Sequence, residues 1–141
     1  MGVWVGVGLG LVLLVGGRAR AAVPFSATEQ VDRNPLYLGD SAGTALDFTV
    51  RNTGTSARIR AVEIARPTSA WLLQSCPHAP AGWTATKQTA KCLFGASTTA
   101  ASLAPGASLA GFTLQVGTAS GTTDVDRQWS VVVSSANPPT S

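Results

Sequence analysis

Apolar residues recur at every second position in several short runs of this chain, and almost nowhere past residue 22 at helical spacing. Leu46, Phe48 and Val50 alternate with Asp47, Thr49 and Arg51, which makes one side of an extended segment apolar and the other polar. Phe112, Leu114 and Val116 alternate with Thr113 and Gln115, and Trp129, Val131 and Val133 share one face of the run Gln128 to Ser134. A period of two commits each run to a strand with one buried and one wet face. In the run Arg58 to Ile64, Val62 and Ile64 are the expected core positions, on the same side as Arg60. Pro67 ends that run because it cannot donate to a ladder.

The breaks between runs carry turn chemistry. Asn52-Thr53-Gly54-Thr55 is a turn, since Asn and Gly tolerate positive φ. Leu103-Ala104-Pro105-Gly106 is a tight turn in which Pro presets φ before Gly. Trp83 to Thr86 and Lys91 to Phe94 read as a hairpin around Lys87-Gln88-Thr89-Ala90, and Trp71-Leu72-Leu73 as a short strand leading to Cys76. Pro77, Pro80 and Gly82 mark the stretch after Cys76 as a loop, and Gly117 to Thr123 is another. With a first strand near Leu36-Tyr37-Leu38, about seven to eight short strands follow one another at near-even spacing. This predicts an all-β chain folded as a two-sheet antiparallel sandwich over residues 36–135, with a lead-in at 22–35 and a flexible tail at 136–141.

The N-terminus has a different character. Met1 to Gly17 contains no charged side chain and is nearly all Gly, Val and Leu, and Arg18-Ala19-Arg20-Ala21-Ala22 closes it with small residues. This is the pattern of a secretory signal peptide over residues 1–21, cleaved after Ala21 or Ala22. No Lys or Arg precedes the apolar run, whereas Arg18 and Arg20 follow it. A start codon assigned too far downstream accounts for the missing basic residues. The alternative is an uncleaved anchor, the chain's sole route to the membrane, with its positive flank held inside. Export makes the mature protein secreted or surface-displayed. Its formal charge falls from +3 to about +1 once the two leader arginines leave. The cluster Arg51, Arg58, Arg60 and Arg66 then reads as a solvated face rather than a nucleic-acid site.

Cys76 and Cys92 are the sole cysteines of a 141-residue chain. In an exported domain they predict one intramolecular disulfide. Cys76-Pro77-His78 with Cys92 offers three ligand atoms in a spacing foreign to zinc sites, so no metal and no cofactor is expected. Catalysis has little material. His78 is the single histidine, no Gly-x-Ser-x-Gly occurs, and the nearest pair of acids, Asp124 and Asp126, reads as a charged entry to the last strand or as part of a calcium cage. No catalytic residue is assigned.

Trp129 alternates with two valines and belongs to the core. Trp83 follows Gly82 at a strand start and is placed to pack on the Cys76–Cys92 bridge. Trp71, beside the proline-rich loop, is the best candidate for an exposed platform. Exposed Trp71 or Trp83 is the kind of ring on which sugar-binding modules stack their ligands.

Two motifs resemble a known group of domains. Phe48-Thr49-Val50-Arg51-Asn52-Thr53-Gly54 resembles the strand and Asn-x-Gly turn of bacterial extracellular immunoglobulin-like modules. Leu103-Ala104-Pro105-Gly106-Ala107-Ser108, followed by Phe112 to Val116, is similar to their Leu-x-Pro-Gly-x-Ser signature and strand. With Trp83 and Cys92-Leu93-Phe94 between them, the order from Leu36 to Ser134 resembles CARDB-type and related conserved-repeat surface domains. The resemblance implies an immunoglobulin-like sandwich and brings no catalytic residues. The expected function is non-enzymatic binding of a protein or glycan at the cell exterior, for adhesion or scaffolding, with the sheet bearing Arg51, Arg58 and Arg60 as first candidate surface. The alternatives are a carbohydrate-binding module using Trp71 or Trp83, and an accessory or inhibitor domain presenting the Cys76–Cys92 loop.

Overall fold

Along Thr44–Asn52 the side chains at 44, 46, 48, 50 and 52 are buried and those between them face outward, as alternation in the sequence requires. The same rule builds the rest of the domain. A computed structural model describes residues 3–5, 13–14, 23–31, 43–119 and 128–136. Its strands are β1 (Val3–Val5), β2 (Leu13–Leu14), β3 (Phe25–Val31), β4 (Thr44–Asn52), β5 (Ala61–Ala65), β6 (Trp71–His78), β7 (Trp83–Lys87), β8 (Lys91–Ala96), β9 (Ser108–Thr118) and β10 (Trp129–Ser134). There is no helix among the described residues.

Past residue 22 the strands form two four-stranded antiparallel sheets, in the orders β3-β4-β9-β6 and β10-β5-β8-β7, and β1 and β2 extend the second sheet beyond β10. Register places the core residues in rows. Phe48 lies opposite Glu29 on β3 and Phe112 on β9, while Ile64 lies opposite Val131 on β10 and Cys92 on β8. Val62 and Ile64 are fully buried, as their spacing predicts, and so are Trp129 and Val131.

Aromatic rings fasten one sheet to the other. Phe48 meets Trp129 edge-on at a centroid distance of 6.0 Å, and Trp71 meets Trp129 at 5.2 Å. Phe112 receives Trp83 and Phe94, each edge-on at 5.2 Å. In all of these pairs one ring comes from each sheet, so the contacts add edge-to-face attraction to the area they bury.

The structure corrects two of the sequence-based expectations, and two more lie outside the described residues. The strand expected near Leu36–Leu38 lies outside the described residues, as does the Asp124–Asp126 pair. The stretch assigned as a lead-in contains β3, the edge strand of its sheet. Pro77, taken as loop, lies within β6, with His78 opposite Thr113 of β9. β6 is an edge strand whose pairing slips on both sides of Ser75, and an edge tolerates a residue without an N–H.

The two motif turns meet at Asn52. Its buried side-chain amide donates to the carbonyls of Ala57 at 2.8 Å and Leu103 at 3.1 Å, and its Oδ1 accepts the Gly54 N–H at 2.9 Å. Its backbone carbonyl accepts from Gly106, and its N–H donates to Ala107. Gly106 sits at φ 77°, which the Pro105-Gly106 turn requires. One residue thus joins the end of β4 to the turn that launches β9. Asn52→Ala is expected to cost about 2–3 kcal/mol by urea denaturation. Asn52→Asp is expected to cost more, because it turns an acceptor toward two carbonyls.

Candidate functional site

Neither candidate tryptophan is a platform. Trp71 is completely buried and Trp83 is 7% exposed. In β6 the alternation turns Trp71 and Leu73 inward and leaves Leu72 and Gln74 outside. Leu72, at 37%, is the one exposed large apolar side chain among the described residues. Trp83 packs against Phe112, and its indole N–H donates to the Ala101 carbonyl at 2.8 Å. Gly82, at φ 79°, sets up this inward entry, and a Cβ there would lie 2.7 Å from that of Ala101.

The three candidate arginines do not share a sheet. Arg51 is exposed near the end of β4, register-paired with Ser26 on β3 and Ser108 on β9. Arg58 precedes the isolated bridge between Ile59 and Leu103, and its guanidinium is spent on Ser102, donating to Oγ at 2.6 Å and to the carbonyl at 2.7 Å. Arg60 enters β5 of the other sheet, its main chain bonded to Ser134 and Ala96 and its Nε buried. The chain crosses between sheets between residues 52 and 61, which separates side chains that are near neighbours in sequence.

Cys76 and Cys92 form the expected bridge, with Cα atoms 6.0 Å apart. It joins β6 of one sheet to β8 of the other. The segment it spans contains β7 and the hairpin tip Lys87 to Ala90, all four residues of which are exposed.

The outer faces of the sheets also bring together polar groups that lie far apart in the sequence. Thr113 on β9 donates its hydroxyl to Asp47 on β4 at 3.1 Å, and His78 occupies the next register position across β6. Outward alternation marks Asp47 and Thr113 as surface residues, yet only the pairing of β4 with β9 and β6 aligns the three. On the other sheet, Lys91 and Glu63 form a partly exposed ion pair at 3.0 Å, of small energetic value in water.

No known family profile, curated protein or solved structure matches this chain. Any functional assignment therefore rests on its own residues. Among those described there is no cluster of three His, Cys, Asp or Glu side chains able to hold a metal ion. What remains at the surface is a polar hydrogen-bonding sheet face with Arg51 at its margin, and a hairpin tip braced by the disulfide.

Proposed function

We propose that this is an exported immunoglobulin-like sandwich, secreted or displayed at the cell surface, that binds a protein partner for adhesion or scaffolding and performs no catalysis. The observation that carries the reading is the disulfide between opposite sheets, a bond that persists in oxidising compartments. The leader pattern of residues 1–21 supports it, and so does the resemblance of the Asn52 and Pro105-Gly106 turns to CARDB-type surface modules. A rigid sandwich held by aromatic pairs is suited to presenting a preformed surface, which lowers the entropic cost of binding.

The outer face of β3-β4-β9-β6 is the favoured contact surface because Arg51 stands exposed there, free of the tether that holds Arg58. Arg51→Glu is expected to reduce capture of surface partners in a crosslinking pull-down by roughly tenfold, with no change in thermal midpoint. Unchanged capture of every recovered partner removes this face from consideration. The second reading, an accessory domain presenting the Cys76–Cys92 loop, is favoured by the exposed tip Lys87 to Ala90. Lys87→Glu in the same pull-down separates the two surfaces. A glycan array run alongside tests sugar recognition, which no longer has an exposed tryptophan to stand on.

A further inference from the structure

The two margins of the sandwich are closed by different means. At one, the Cys76–Cys92 bridge ties β6 to β8. At the other, β1 pairs antiparallel with β10, with Val3 opposite Val131, Trp4 opposite Ser130 and Val5 opposite Trp129. β2 pairs on the far side of β1, and both also touch β3, the edge of the opposite sheet. The covering strands come from the segment whose sequence reads as a leader. Cleavage after Ala21 or Ala22 carries both away and leaves the outer backbone groups of β10 without the partner they had.

The other edges bear features that discourage pairing with a foreign strand. β6 contains Pro77 and two register slips, β7 is five residues long and ends in Lys87, and β3 points the acid Glu29 inward. These are the usual ways in which natural sheets blunt an edge. β10, Trp-Ser-Val-Val-Val-Ser, has no charge, no proline and a regular register along its length. An exposed edge of that composition is a ready template for pairing with another strand.

We infer that the outer edge of β10 is a strand-acceptor site, filled by Val3–Val5 in the full chain and, in the processed protein, by an uncharged extended segment of a protein partner added antiparallel. Main-chain bonding supplies the affinity in such additions, and alternate side chains supply the selectivity. The occupant matches what already sits there, a Val-x-Val segment with β-branched residues at alternate positions. This inference rests on the export reading above, because only loss of the leader vacates the edge.

The test compares amide hydrogen exchange in the full-length chain with that in the protein recovered from the cell exterior, whose mass fixes its N-terminus. In the full-length chain, Val5→Pro is expected to speed exchange by on the order of 100-fold at those amides of residues 129–131 that point toward β1, while their neighbours bonded to β5 and the Cys92 strand keep their protection. The processed protein is expected to exchange at the fast rate there. A synthetic peptide of residues 2–6 with a lysine tail restores protection saturably, and its Val5→Pro counterpart does not. Recovery of an unprocessed mass refutes export with cleavage and leaves the full-length comparison to judge the edge. Equal exchange with and without Val5→Pro, protection by both peptides alike, or a dimer of processed chains joined β10 to β10 overturns the acceptor site.

Discussion

Trp129→Ala is expected to lower the unfolding free energy by about 3–5 kcal/mol, the range for removing a large buried aromatic from a packed core. Trp129 is fully buried and is the one ring that touches both Phe48 and Trp71 of the opposite sheet. Its indole N–H is buried without an acceptor, so truncation strands no hydrogen-bond partner, and the whole cost is lost packing plus the cavity left behind. Trp129→Phe gives the control. It keeps a ring against Phe48 and discards an unpaired N–H, so its expected cost is only about 1–2 kcal/mol. Urea denaturation followed by near-ultraviolet circular dichroism measures both. A loss below about 1 kcal/mol for the alanine variant means that the cross-sheet aromatic contacts do not hold the sandwich together. Because Trp71 shares the contact, the pair Trp129→Ala and Trp71→Ala is expected to be non-additive.

Strands with clean alternation were legible from sequence, and those without were not. β4, β9 and β10 announce themselves because each buries one face and wets the other. β3 hides because its inward positions read Phe25, Ala27 and Glu29, and an acid in the buried phase breaks the apolar pattern. In Trp71-Leu72-Leu73 an unbroken apolar run gives no phase. Only pairing with β9, Trp71 opposite Thr118, settles which side faces the core. The result exposes Leu72 and buries the tryptophan. Cysteine count revealed the bridge but not that it spans the two sheets. The arginine surface failed for a related reason, since proximity in sequence says nothing about which layer each residue enters after a crossover. Asp47, Thr113 and His78 were each visible, but register alone brings them into one row.

Reduction of Cys76–Cys92, or the double change Cys76→Ala with Cys92→Ala, is expected to cost about 3 kcal/mol through the freedom regained by a closed loop of roughly fifteen residues in the unfolded chain. For a domain of this size that is a fall of roughly 12–18 °C in thermal midpoint. The two routes differ in a useful way. Cys92 is fully buried opposite Ile64 and Lys87, so alanine there also removes packed sulfur and is expected to lose somewhat more than reduction does. The bridge holds only the β6–β8 margin, which gives the prediction a spatial component. Exchange in β6 and β7 is expected to rise first on reduction, with β5 and β10 following only as the domain unfolds globally. Scanning calorimetry with and without reductant gives the magnitude, and residue-resolved exchange gives the place. An unchanged midpoint means the bridge is absent or constrains nothing. A uniform rise in exchange across both sheets means the sandwich behaves as one cooperative unit, with the disulfide acting through the unfolded state alone.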